Sequence, residues 1–229
     1  MALTAAEVEE AADGLNHSYY SSSGGSSIEL PIPVEEIAEQ HLGYEIEFTD
    51  RGIFSNPQLL GGIDLESKTI FVNASVQDHD GRYSFTVAHE IGHHVLHRES
   101  YLASVSEGDK SILCREVSNK PPIEIEADRF AAALLMPSAV VKEAMARQKA
   151  YRRIKSIGQA RGLAATLIQK EGFSNVSNTA MVNRLIDLDC VPASLGYQDG
   201  VTTRRRAFRP SLVQLWKKTR HRVSKFKSG

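Results

Sequence analysis

The stretch 83–96 constrains the fold more than any other, because its mainly apolar, helix-like pattern carries the pentapeptide His-Glu-Ile-Gly-His at residues 89–93. Residues four apart lie one turn apart on the same face of a helix, so the imidazoles of His89 and His93 can converge on one ion. Glu90 lies about 100° around the same turn, where it can face water on such an ion without completing the coordination. We therefore predict His89 and His93 as metal ligands and Glu90 as the catalytic general base.

Two further histidines, His94 and His97, follow in the same pattern. In a continuous helix His97 lies about 12 Å along the axis from His89, whereas zinc–nitrogen bonds are about 2.1 Å long, so these two cannot bind one ion. We expect His97 to support the site through a hydrogen bond and not as a ligand. The alternative for the whole segment is a buried helix whose histidines have ordinary, non-metal partners.

The third ligand has to come from another segment, and a second apolar helix pattern at 124–136 supplies it. This pattern begins after two prolines and ends before Pro137, as helices commonly do. We predict that Glu124 completes a two-histidine, one-glutamate site for one Zn²⁺ per chain. Such a site leaves one position open for water, which is the arrangement of a catalytic zinc.

Two other acids lie on the same helix pattern. Asp128 is one turn from Glu124, and we expect it to reach a ligand imidazole and fix its tautomer. Glu126 is on a different face, and we expect it to lie outside the site. The alternative is that Glu124 and Asp128 only occupy a solvated first turn, where negative charge interacts favourably with the helix dipole.

The residues of these two helix patterns carry a family resemblance. Segments 85–97 and 124–137 resemble the paired signatures of the ImmA/IrrE family of metallopeptidases. Segment 173–185 is similar to a stretch that closes many members, and a weaker similarity occurs at 31–38. The match spans roughly 28–190 in the family's order.

The resemblance implies a small zincin-like, gluzincin-type fold and an intracellular protein substrate. It assigns zinc to the positions of His89, His93 and Glu124, and the role of base to Glu90. Family members that act as regulators cut a helix-turn-helix repressor and thereby switch on the genes that it silences. We therefore expect a zinc metallo-endopeptidase that cleaves such a repressor.

Composition agrees with a soluble enzyme of the cytoplasm. The 229 residues are 41% hydrophobic and 24% charged, enough to bury one good core. The two cysteines, Cys114 and Cys190, form no clustered pattern, so no disulfide framework is expected. The first twenty residues lack the apolar centre of a signal peptide, and no run reaches the roughly 20 apolar residues of a membrane span.

The predicted fold class is α+β, with a small β-sheet packed on the active-site helix and a helical C-terminal subdomain. Alternating patterns predict strands at 44–48 and 69–73, Gly61 and Gly62 indicate a turn, and 100–121 reads as a loop over the cleft. The expected divisions are an N-terminal helix and Ser/Gly linker at 1–27, a zinc metallopeptidase domain at 28–138, a helical subdomain at 139–199, and a basic tail at 200–229.

A strand beside the cleft is the expected site of substrate binding. Extended peptides commonly add a strand to an exposed sheet edge. We predict that Ile70, Phe71, Val72 and Asn73 form this edge strand and bind the substrate backbone.

Charge is distributed unevenly along the chain. Residues 1–201 hold all 28 acids against 17 Lys and Arg, a balance of −11, whereas 202–229 hold ten basic residues and no acid. The tail could contact nucleic acid or an acidic partner. The alternative is that it docks on the acidic body of its own chain or stays solvated.

Two other functions remain open beside the peptidase. The chain could be a non-proteolytic antirepressor that acts by binding, or a nucleic-acid-binding regulator that acts through the basic tail. Segment 176–185 could pass for a DNA-reading helix. Its neighbourhood is not basic and its apolar residues form a stripe, so we interpret it as structural.

Overall fold

The computed structural model describes residues 2–50, 59–104, 112–114, 121–148 and 154–195. Within these residues, the first half contains both helices and strands and the second half contains helices. The helices are α1 (Ala5–Ser22), α2 (Val34–Glu36, continued as the π-helix Ile37–His41), α3 (Asp80–Ser104), α4 (Pro122–Leu135), α5 (Ser138–Arg147), α6 (Ile157–Lys170) and α7 (Asn178–Asp187). The strands are β1 (Glu45–Thr49), β2 (Gly61–Asp64), β3 (Thr69–Asn73) and β4 (Ile112–Cys114). The predicted α+β class, with a small sheet against the active-site helix, is confirmed.

The four strands form one mixed sheet in the order β1-β3-β2-β4. Strand β3 pairs in parallel with β1 on one side and antiparallel with β2 on the other, and β2 pairs antiparallel with β4. The prediction that Ile70, Phe71, Val72 and Asn73 form an edge strand is therefore wrong. Because both sides of this strand already carry ladder hydrogen bonds, its backbone cannot accept an added peptide strand.

Gly61 and Gly62 begin strand β2 and do not form the predicted turn. Helix α3 lies close behind the strand. A Cβ atom added to Gly61 would lie 2.5 Å from the Thr86 Cγ2 atom and 2.7 Å from the Glu90 Oε1 atom, so both side chains would have to shift to accept a larger residue. The segment expected as a loop contains regular structure in its described residues, since α3 runs on to Ser104 and β4 follows at 112–114.

Helix α1 belongs to the core and is not an appendage before the domain. Its Thr4 N-cap and Glu7 hydrogen-bond each other's backbone N–H in a capping box. Its buried face carries residues at helical spacing that join the main hydrophobic cluster: Val8, Ala12, Leu15, Tyr19 and Tyr20. The Asn16 Nδ2 atom donates to the Leu134 carbonyl across 3.0 Å, which fixes α1 against the end of α4.

The C-terminal helices share the same core. Phe173, Met181 and Leu185 are fully buried in the cluster that also contains the α1 residues. Arg184 of α7 donates from Nε to the Met136 carbonyl across 2.9 Å, and its guanidinium pairs with the Glu9 carboxylate on α1. The buried face of α7 therefore packs in the same core as α1 and α4.

No helix in the described part of the chain is long and apolar enough to cross a membrane. The basic tail at 202–229 lies outside the described residues.

Candidate metal centre and active site

Helices α3 and α4 pack against each other, and this contact assembles the site. Gly92 lies at the crossing point. A Cβ atom at this position would lie 3.1 Å from the Phe130 Cδ1 atom and 3.3 Å from the Ala127 Cα atom. The missing side chain lets the two backbones approach, and the first turn of α4 is thereby placed beside the middle of α3.

Three side chains meet at this crossing. The His89 and His93 Nε2 atoms are 3.1 Å apart. The Glu124 carboxylate lies 3.3 Å from the His89 Nε2 atom through Oε2 and 3.2 Å from the His93 Nε2 atom through Oε1. All three residues are buried, and their potential ligand atoms lie within 4.8 Å of one another. The set predicted from sequence is thus brought together on one point.

This donor set fits a divalent metal ion. Two imidazole nitrogens face each other beside a buried carboxylate, and only one of two apposed ring nitrogens can donate a hydrogen bond to the other. An ion between them uses both lone pairs and the carboxylate at once. Two histidines and one glutamate are a ligand set of catalytic zinc sites.

The other ring nitrogens of both histidines are also held. The His89 Nδ1 atom lies 3.1 Å from Asp128 Oδ1, and the His93 Nδ1 atom lies 3.1 Å from His97 Nδ1. Both contacts leave Nε2 directed at Glu124. Asp128 and His97 therefore lie where sequence reasoning placed them, beside the ligand imidazoles, although the Asp128 side chain is 25% exposed.

The pKa values describe a site whose acid stays ionised. Burial acts to raise the pKa of Glu124, but hydrogen bonds with His89 and His93 outweigh it and lower the pKa to about 2. Burial acts to lower the pKa of His89, yet its hydrogen bonds to Asp128 and Glu124 raise the pKa to about 9. Burial lowers the pKa of His93. Without a metal ion, a protonated His89 thus faces an anionic Glu124, and a metal cation bound at the His89 Nε2 atom would take the place of that proton.

Glu90 lies beside this set, between α3 and the first residue of β2. Its side chain is 1% exposed, and Gly61 provides the space for its carboxylate. It follows His89 in sequence, its carboxylate faces β2, and its charge acts to raise the pKa of His89.

Sequence reasoning missed two residues near the site. Gly61 was interpreted as part of a turn. Glu126 was expected away from the site, yet it is buried and its Oε2 atom lies 3.0 Å from His97 Nε2. The signal for Glu126 was an acid inside an otherwise apolar helix pattern, because an ionised group is seldom buried without a partner.

The fold and this ligand set together define the class of HExxH metallopeptidases with a glutamate on a second helix. The family model described as the IrrE N-terminal-like domain, peptidase family M78, matches residues 30–167, more than half of the chain. The chain belongs to this family of metallopeptidases. No curated protein gives a significant match to the chain.

Proposed function

We propose that this chain is a zinc-dependent endopeptidase. The observation that supports this most strongly is the buried set His89, His93 and Glu124, with Glu90 adjacent, in a chain of a metallopeptidase family. Zinc is the metal proposed because imidazole nitrogen with one carboxylate oxygen suits it, whereas magnesium and calcium take mainly oxygen ligands. One ion per chain is expected.

In the proposed reaction the residues of the chain have separate tasks. A zinc ion held by His89, His93 and Glu124 would lower the pKa of water and polarise the carbonyl of the scissile bond. Glu90 accepts the proton of the attacking water and passes it to the amine that leaves. Asp128 fixes the orientation of the His89 ring, so that its Nε2 lone pair keeps pointing into the site.

The proposed substrate is a helix-turn-helix transcriptional repressor in the cytoplasm, whose cleavage relieves repression. Support for this substrate comes from the family resemblance of segments 85–97 and 124–137. A peptidase family implies a protein substrate in any case.

Two substitutions test the proposal. Glu90→Gln keeps the shape of the side chain but cannot accept a proton, so zinc should stay bound while turnover falls by at least about 10²-fold. Glu124→Ala should lose both zinc and activity, because two imidazoles alone hold the ion poorly. Glu143→Gln is the control, because Glu143 lies on α5 with its side chain 74% exposed.

Zinc is measured by elemental analysis of purified protein, and cleavage by co-expression with the repressor encoded by a neighbouring gene. If Glu90→Gln cuts or derepresses as well as the wild type, general-base proteolysis is not the activity. If Glu124→Ala keeps its full metal content, the third ligand is another residue.

A further inference from the structure

The two histidines of the metal centre are supported by different routes. His89 contacts a carboxylate directly, through Asp128. Among the described residues, the partner of the His93 Nδ1 atom is the ring of His97, whose Nδ1 atom lies 3.1 Å away. A histidine ligand normally donates its second ring N–H to an acceptor that fixes the ring. The orientation of the His93 ring therefore depends on the next partner of His97.

The tautomers along this route follow from simple donor and acceptor rules. If His93 offers its Nε2 lone pair to the site, its proton lies on Nδ1. His97 must then accept through Nδ1, so that its own proton lies on Nε2. That N–H points at Glu126 Oε2 across 3.0 Å. The second carboxylate support of the site is thus present, with one imidazole inserted.

The far oxygen of the same carboxylate has a partner from the start of the chain. The Leu3 backbone N–H donates to Glu126 Oε1 across 2.9 Å, although 123 positions separate the two residues. Leu3 directly precedes Thr4, the N-cap of α1, and α1 packs along α4. The side chains of His97 and Glu126 are only 6% and 7% exposed, so water contributes little to this chain of contacts.

We infer that Glu126 and the backbone N–H of Leu3 position the metal ligand His93 through His97, and that the amino-terminal segment is thereby a working part of the metal centre. This inference rests on the metal site of the proposed function. It does not depend on what the enzyme cleaves. Glu126 and Leu3 are positioning residues, since neither contacts the ligand atoms themselves.

Three variants separate this chain of contacts from ordinary packing. Glu126→Gln keeps the size but removes the charge that accepts from both His97 and Leu3. Leu3→Pro removes the N–H and breaks no helical hydrogen bond, because residue 3 precedes Thr4, the N-cap of α1. Leu3→Ala is its matched control, since it keeps the N–H and shortens the side chain.

Zinc affinity is measured by competition with a chelator, and the cobalt-substituted proteins are compared by visible absorption. Glu126→Gln should lower the metal affinity about 10- to 100-fold, the usual loss when support of a ligand is removed. Leu3→Pro should lower it in the same direction by less, and Leu3→Ala should match the wild type. The cobalt spectra of Glu126→Gln and Leu3→Pro should both shift, because the His93 ring is held less firmly.

The melting temperature of the metal-free proteins separates the two possible roles. If Glu126→Gln and Leu3→Pro melt lower without metal but bind zinc and give cobalt spectra like the wild type, the contacts only stabilise the fold and the inference is overturned. If the wild type itself binds no metal, the proposed function fails as well, which is a distinct result.

Discussion

At the scale of single residues, the position of the proposed base Glu90 depends on a glycine, Gly61. A Cβ atom added to Gly61 would lie 2.7 Å from the Oε1 atom of Glu90. Real Cβ atoms do not approach an oxygen so closely, so any larger residue forces the base to move. The backbone of β2 thus lies directly against the carboxylate of Glu90.

Gly61→Ala should therefore reduce turnover without removing the metal. The added methyl group displaces the Glu90 carboxylate, and a general base that is misplaced by about 1 Å can lose about 10²-fold in rate. Turnover is measured together with zinc content. Gly162→Ala is the control, because a Cβ atom there meets nothing within 4 Å. A Gly61→Ala enzyme with normal turnover would show that Glu90 is not held by β2.

His94 is a second residue whose environment makes a measurable prediction. Burial lowers its pKa below the ordinary 6.5, and the Tyr44 hydroxyl lies 2.8 Å from its Nδ1 atom. The folded protein binds this proton less readily than the unfolded chain. The contribution of His94 to the free energy of unfolding is therefore fully present above pH 6.5. That stability is lost as the pH falls from 6.5 through the lower pKa of the folded state.

The metal-free protein should accordingly lose less stability on acidification when His94 is replaced by Gln. The measurement is the free energy of unfolding in denaturant at about pH 7.5 and about pH 5.5 for both proteins. Equal losses in the two proteins would mean that His94 takes up its proton equally well in the folded and unfolded states.

At the scale of elements, the long helices and the strands β1 and β3 could be predicted from sequence, whereas β2 and β4 could not. The apolar periodicity of α3 and α4 and the prolines around α4 are local signals. They predict the two helices, and with them the faces that carry the proposed ligands. Strand β2 begins with Gly61 and Gly62, residues of low strand propensity. It is a strand because β3, β4 and α3 surround it, and no local pattern contains that information.

The same limit explains the wrong edge strand. The pattern of β3 predicts a strand correctly, with the same limits at Thr69 and Asn73. Strand order is set by distant segments, and β1 occupies the side of β3 that the prediction left open. A fully buried pattern at Ile70 and Val72 is what a strand with neighbours on both sides shows.

The crossing of α3 and α4 gives a prediction at the element scale. Gly92→Ala should destabilise the protein, even though alanine favours a helix by about 1 kcal/mol over glycine. The new Cβ atom would lie 3.1–3.3 Å from Phe130 and Ala127, and overpacking of this kind costs about 1–3 kcal/mol. To accept the added atom, α3 and α4 have to move apart. Glu124 then lies further from His89 and His93, and metal affinity should fall.

Thermal melting and chelator competition measure these two effects. Gly14→Ala is the matched control, since Gly14 is an exposed position of α1 with nothing within 4 Å of the added atom. It should raise the melting temperature. A rise in Gly92→Ala as well would mean that the helices are not limited by contact at this point.

At the scale of the whole molecule, the first and last described helices close the structure around α4. Glu9 of α1 pairs with Arg184 of α7, and the same guanidinium binds the Met136 carbonyl at the end of α4. The Ser/Gly linker suggested a boundary because its composition is typical of flexible segments. Composition does not report the buried stripe of α1, which contacts segments more than a hundred residues away, such as Leu134 and Arg184.

The uneven distribution of charge leads to a prediction about the basic tail. Residues 202–229 carry ten basic residues and no acid, while the rest of the chain has a balance of −11. Binding of a polyanion by such a segment releases counterions and therefore weakens as salt rises. Deleting 202–229 should weaken any binding to duplex DNA and flatten its dependence on salt, which fluorescence anisotropy measures at about 50 and 200 mM salt. Zinc content and peptide-bond cleavage should stay near those of the full chain, because the proposed ligands and base lie between His89 and Glu124. If the shortened enzyme cannot cut its substrate even at low salt, the tail takes part in substrate recognition, and the acidic body needs it to hold the protein that is cleaved.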